Sequence, residues 1–382
     1  MSEVADVVVV GAGIVGAACA RACALRGLRT LVVDAEQIGG GATAAGMGHI
    51  VVMDDSPAQL ALTSFSRKLW REMAAELTPE VEFNPCGTLW VAADAEEMAE
   101  VRRKQALYGS IGLNTEILDG PMLAEVEPQL RKGLAGALRV PGDAVLYPPC
   151  AAAFLIREAE AAGAELRMGS RVASAARGRV RLENGTEVAT ARIVLAAGAD
   201  STRLVPGLPV RKRRGHLVIT DRYPGFVRHQ LVELGYLKSA HSLTTDSVAF
   251  NVQPRTTGQL LIGSSREYGA DSTDVNRPLL GAMLSRAQSY LPGIGTLEAI
   301  RIWTGFRAAT PDKLPLIGPW PMDDTLWLAT GHEGLGITTS LGTAEVLVAE
   351  MLGGKKEIPP EPYLPQRFAG TNRTAATENS HA

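Results

Sequence analysis

Cysteine is scarce in this 382-residue chain: Cys19, Cys23, Cys86 and Cys150 are the only four, at no regular spacing. That excludes a disulfide framework, offers no zinc pattern, and points to reduced thiols. Cys19 and Cys23 lie four apart on a helix candidate, but free cysteine is a common small core residue, and the core reading is preferred to a metal or redox pair. Positive charge is not in excess. With 38 Lys and Arg against 41 Asp and Glu, the formal charge is −3, and the one basic run, Arg211 to Arg214, is short. No broad field attracts phosphate backbones, so nucleic acid is not expected as a partner. No run of about 20 apolar residues is present to span a bilayer. The apolar stretch Val7 to Val10 follows acids and leads into glycines, unlike the positive start of a signal peptide. The expected location is cytoplasmic. Neither a Ser-His-Asp pattern nor a zinc helix motif appears, and no internal repeat is evident. Glycine, by contrast, is plentiful at 40 residues, and a 46% hydrophobic content can fill two ordinary cores.

The glycines are placed with purpose at the start. A β-branched run from Asp6 to Val10 is followed by Gly11-Ala-Gly13-Ile14-Val15-Gly16 and then by helix formers from Ala17 to Arg26. This predicts strand, turn and helix. Gly11 permits the tight turn, Gly13 lets the backbone approach a pyrophosphate, and Gly16 lets helix and strand pack closely. The helix N-terminus then offers N–H groups to phosphates. A second strand, Thr30 to Val33, ends at Asp34 and Ala35, where a carboxylate can accept from a ribose hydroxyl. A dinucleotide is implied, though this motif alone does not choose between NAD and FAD.

The segments beyond Asp34 favour FAD. Gly39 to His49 is a second small-residue loop, containing Thr43, Ala44, Gly46, Met47 and Gly48, for which an NAD-binding domain has no need. Small side chains and a hydroxyl suit a backbone running beside a flat ring. Arg192 to Gly198 reads as a buried strand ending in the small residues Ala197 and Gly198. Leu326 to Thr330 reads as another strand, followed by Gly331-His-Glu-Gly334-Leu335-Gly336-Ile337-Thr338 and a helix from about Ser340 to Met351. Its N-terminus favours negative charge on the pyrimidine end of a flavin.

These segments, together with Gly305 to Gly318, resemble the D-amino acid oxidase-like family of flavoenzymes nearly from end to end. Within it, the Gly-His-Glu-Gly-Leu-Gly-Ile-Thr-Thr turn is most similar to the flavin subunits of dehydrogenases for hydroxyproline, octopine and glycine. The resemblance implies an α/β chain with a discontinuous Rossmann-type FAD domain, residues 1–75, 140–205 and 310–365. Residues 76–139 and 206–309 then form an α+β substrate domain with a mixed antiparallel sheet, and 366–382 a disordered tail. It also puts Val172 near the adenine. Sequence signals agree with these joins. Pro148-Pro149 marks a crossing, Cys150 to Ala162 is helix-like, Glu165 to Val172 returns as a strand, and Asn184-Gly185 turns a hairpin from Val180 to Val188. In the substrate domain, strands are predicted at Thr88 to Ala92, Gly215 to Thr220, Ser247 to Val252 and Gln259 to Ser264, and helices at Asp94 to Gly109 and Arg277 to Leu291.

The resemblance further implies hydride transfer from a small amino or imino acid, with a cyclic imino acid such as D-hydroxyproline favoured. A flavin-dependent 2-hydroxy acid dehydrogenase and an electron-relaying flavin subunit of a hetero-oligomer are the alternatives. The electron acceptor is oxygen, a quinone or a partner subunit. Arg307 lies where family members grip the substrate carboxylate, and a guanidinium fork suits that task; the competing reading is a surface pair with Asp312. The family's glycine oxidase branch has a tyrosine where this chain has Asn251, so either Asn251 or Gln253 is expected to face the pocket, with Tyr236 and Tyr268 as substitutes. Of the histidines, His49 is best placed beside the ring; His216 and His332 are weaker candidates, and His229 and His241 have no motif around them. Covalently linked relatives use a cysteine between Gly305 and Gly318, and this chain has none there, so FAD is expected to be non-covalent.

Overall fold

The computed structural model describes residues 3–235 and 246–368. Among them two eight-stranded sheets carry the chain. In the first, strand Glu3–Val10 lies between Thr30–Val33 and Glu187–Leu195 and runs parallel to both. Glu165–Arg167 extends this sheet on one side; Asp323–Thr330 and the antiparallel edge strand Leu316–Trp320 extend it on the other. Val7 and Val9 enter one apolar core, while Val8 and Val10 enter another on the opposite face. Covering both faces explains a valine run without polar alternation.

Three helices, Ile14–Ala24, Pro148–Ala161 and Gly336–Leu352, pack together on the first of those faces. Small residues allow the close contact, and Cys19 and Cys23 are both buried there as core side chains. Pro148 and Pro149 open the second helix, where the first turn has no intrahelical N–H bond to lose, so the helix expected from Cys150 begins two residues earlier. The predicted strand from Glu165 to Val172 is also divided: it stops at Arg167, and Val172–Ala176 is a separate strand paired with Arg179–Leu182 in a small antiparallel extension. Val180 pairs with Val188 across the Asn184-Gly185 turn, as predicted.

The second sheet has the order Ala299–Ala309, Arg211–Arg222, Gln259–Arg266, Ser247–Pro254, Gln230–Glu233, Thr88–Ala92, Gly136–Val140, Glu116–Asp119. All neighbours are antiparallel except Gln230–Glu233 with Thr88–Ala92, which makes the sheet mixed. Leu89, Phe250 and Val252 belong to an apolar core that includes Met283 and Tyr290 of helix Arg277–Tyr290. The other face carries Trp90 and Val232. At the C-terminal end, Pro365–Phe368 forms a 3-10 turn rather than beginning a disordered tail, because Arg367 bonds Asp312 and the carbonyls of Tyr363 and Leu314. Residues 369–382 lie outside the described part.

Candidate active site

A cavity of about 630 Å³ is lined from both sheets. On the first, Gly11 has φ +111°, and a Cβ there would lie 2.5 Å from the Ala196 carbonyl oxygen. A Cβ on Gly16 would lie 1.9 Å from the Gly11 oxygen, so the turn and the helix can approach only as glycines. Gly13, the helix N-cap, supplies no side-chain cap. A helix start without such a cap is suited to an anion. The Thr43 hydroxyl accepts from Ile14 N at 3.0 Å, tying the second glycine loop to the first. Asp34 braces the same turn, accepting from Ala12 N at 2.6 Å and from Glu36 N at 2.8 Å. A wall of turn backbone, an uncapped helix start and a carboxylate fits the pyrophosphate and ribose of a dinucleotide.

The lining includes Gly11, Gly13, Ile14, Val15, Asp34 and Ala35, then Thr43, Gly46, Met47 and Gly48, then Val172, Ala197 and Gly198, and finally Gly334, Leu335, Gly336 and Ile337. Three candidates lie outside it. Gly16 is packed against the turn, Ala44 points to solvent, and Thr338 is turned inward by its helix. The Thr338 hydroxyl donates to His49 O at 2.7 Å and fastens the loop instead of facing a ligand.

Arg307 lines the cavity from the second sheet. Its Nη1 donates to Ser265 O at 2.8 Å, and the guanidinium lies over Gly215, where a Cβ would come within 2.5 Å of it. Asp312 is not its partner, being held by Arg367. His49, half-buried, also lines the cavity, and burial, reinforced by the nearby Arg307 charge, pushes its pKa down to about 4. It is neutral at physiological pH. The Gln253 amide lies against this imidazole and donates to Met47 O. Asn251 faces the cavity as well. Of the two alternatives Asn251 is thus the one that lines the cavity; Gln253, two residues on and on the same strand face, does not line it and is held by Met47.

The remaining candidates have structural partners. His216 is fully buried between Ser265 Oγ, 2.8 Å from Nδ1, and Asn276 N, which donates to Nε2. His332 touches the cavity wall, yet its Nε2 is 3.0 Å from Thr343 Oγ1, and burial drives its pKa to about 3. His229 bonds Glu127. Tyr268 bonds Arg213 at 3.2 Å and does not line the cavity. Tyr236 and His241 fall outside the described residues.

Sequence reasoning did not single out Trp90, Arg213, Gln230 or Arg266, all of which line the cavity. Arg213 forms an ion pair with Glu333, joining the second sheet to the turn that follows strand Asp323–Thr330. Arg266 is 3% exposed. A polar residue at a position of strand alternation that should be buried is the signal that could have marked them, but only once the pairing partners were known.

Comparison with known proteins gives a consistent picture. The family model described as FAD dependent oxidoreductase matches residues 6–351. The chain is 28% identical to glycine oxidase of Pseudomonas aeruginosa, with 96% of this chain and 99% of that protein covered. It is 27% identical to a subunit of hydrogen cyanide synthase from the same species, covering 96% and 97%. The crystal structure of glycine oxidase from Geobacillus kaustophilus superposes with a TM-score of 0.85 at 26% identity, covering 96% and 99%.

Proposed function

Because the chain belongs to the FAD-dependent oxidoreductase family, we propose that it oxidises the C–N bond of a small amino or imino acid, with D-hydroxyproline or a related cyclic imino acid as the favoured substrate. The observation that carries this reading is Arg307 on the cavity wall beside a neutral His49. FAD would be held by the Gly11–Gly16 turn, Asp34, the Thr43–Gly48 loop and the Gly334–Ile337 turn, and supplies the ring that accepts hydride from the substrate Cα. No cysteine lines the cavity among the described residues to form a cysteinyl link, which supports non-covalent attachment; acid precipitation should leave the yellow colour in solution. The division into an FAD domain and a substrate domain is supported by the presence of two separate sheets.

The protein's own part is positioning. Arg307 pairs with the substrate carboxylate through a charge-assisted contact. His49, uncharged above pH 4, adds a hydrogen-bonding edge without repelling a cation. Because a base of that strength does not remove a proton from an ammonium near neutral pH, the amine binds already deprotonated or loses its proton to water. Rising activity with pH is expected, following the substrate's own amine.

The test is anaerobic mixing of the flavin-loaded protein with D- and L-amino acids, hydroxyprolines, sarcosine and 2-hydroxy acids. Bleaching by amino or imino acids alone supports the proposal; bleaching by hydroxy acids alone replaces it with C–O oxidation. The synthase subunit among the relatives favours a second reading, in which a partner chain accepts the electrons. Slow reoxidation by oxygen with fast turnover on an artificial dye would fit that arrangement.

A further inference from the structure

Three buried side chains that line the cavity each carry an atom that no described residue bonds: Trp90 Nε1, Gln230 Oε1 and Asn251 Oδ1. Their exposures are 2%, 1% and 7%. Strand pairing brings them together from distant parts of the sequence. Val232 is in register with Trp90 on one neighbour and Asn251 on the other, which places all three side chains on one face. Gln230 precedes Val232 by two residues and shares that face. Leu89, Leu231 and Val252, the intervening positions, close the apolar core behind. The pleat thus turns Trp90, Gln230 and Asn251, with Val232 among them, to the cavity side and the apolar intervening residues away from it.

A buried donor or acceptor left unbonded is costly, typically by about 1 to 3 kcal/mol. Three on one wall indicate a ligand group that completes them. Trp90 is further conditioned from behind: the Lys104 ammonium lies 4.9 Å from its ring centroid and is itself buried and paired with Asp54. A cation over the ring draws electron density from the indole and makes its N–H a better donor. Lys104 is engaged by the Asp54 carboxylate, which Arg103 also bonds.

We propose that Trp90, Gln230 and Asn251 form a subsite for a hydroxyl on the substrate's side chain or ring. The proposal rests on the amino or imino acid reading and specifies what the far part of that substrate carries. A hydroxyl can accept from the Trp90 N–H while donating to an amide oxygen of Gln230 or Asn251. An alkyl group satisfies neither, and leaves the amides and indole buried without partners.

The experiment uses pairs differing by one hydroxyl: 4-hydroxyproline against proline, and serine against alanine, each as D and L forms. Anaerobic rapid mixing with the flavin-loaded protein separates the dissociation constant from the limiting rate of flavin reduction. In the wild type the hydroxylated member of the reducing pair is expected to bind about tenfold tighter or more. Gln230→Leu, Asn251→Leu and Trp90→Phe should each bring that ratio toward one, with an unaltered flavin absorption spectrum reporting an intact fold. Trp90→Phe keeps an aromatic ring at this position and removes the N–H together with part of the indole, a smaller change in polarity than amide to leucine, so it remains informative if the leucine variants do not fold. Flavin reduction with equal affinity for both members overturns the subsite and leaves the amino acid reading standing. A ratio unchanged in all folded variants also overturns it. Reduction by no amino or imino acid overturns both.

Discussion

The two sheets meet the same cavity with different parts of the polypeptide. The parallel sheet offers mostly backbone: a glycine turn, a helix start and carbonyl-lined loops, with Thr43 and Asp34 bonding that backbone to itself. The second sheet offers side chains: Arg307, Asn251, Trp90 and Gln230, drawn from four strands. A backbone site is set by where side chains are absent, and it recognises what every bearer of a pyrophosphate shares. A side-chain site is set by which residues the register brings together, and it can be altered without remaking the chain path. On the proposed function, cofactor binding and substrate choice are therefore separable.

That separation can be broken most severely from the glycine side. Gly16→Val would drive a side chain into the Gly11 carbonyl, where even a Cβ sits at 1.9 Å. It is expected to abolish flavin content, and flavin-loaded soluble protein of that variant would contradict the geometry. Next in size is the tie between the regions. Glu333→Ala removes the carboxylate paired with Arg213, which is 2% exposed, and should cost about 3 kcal/mol or more in urea unfolding. A negligible change would show the tie to be weak. Arg307→Ala sharpens the comparison, since it should keep flavin yet lose roughly 1.5 to 3 kcal/mol of substrate affinity, about ten- to a hundredfold. Unchanged affinity would remove Arg307 from the substrate site.

The most gradual effect is acid sensitivity. Burial holds His49 near pKa 4 and His332 near 3 in the folded chain, below the roughly 6.5 of an unfolded histidine. A depressed folded pKa means the stability is fully present above 6.5 and is lost as pH falls toward 4. Each such histidine steepens the loss by about 1.4 kcal/mol per pH unit in that window. Urea midpoints at pH 7, 6 and 5 measure it, and a flat profile would place these rings in contact with water.

The same contrast governs how much is legible in the sequence. Gly11, Gly13 and Gly16 act through spacing along a single strand-turn-helix unit, so their arrangement can be read locally. Arg307 is reachable because its segment resembles a known one. Trp90 and Gln230 are not, since their meaning depends on Val232 standing between Trp90 and Asn251 across strands from three distant segments. Thr338 shows the reverse error: it sits in the right turn, but one further step of helical rotation aims its hydroxyl at the His49 carbonyl. A single strand over Glu165 to Val172 does not form because its sheet partner, Thr30–Val33, is only four residues long and supports only the first part.

Strand Glu3–Val10 is flanked by Glu187–Leu195, which in turn is flanked by Asp323–Thr330. During synthesis the first glycine turn therefore leaves the ribosome long before the strands and the Gly334–Ile337 turn that complete its surroundings. A nascent chain has no finished cofactor site until helix Gly336–Leu352 has begun to emerge. A chain truncated within that helix is expected to be unable to retain the nucleotide.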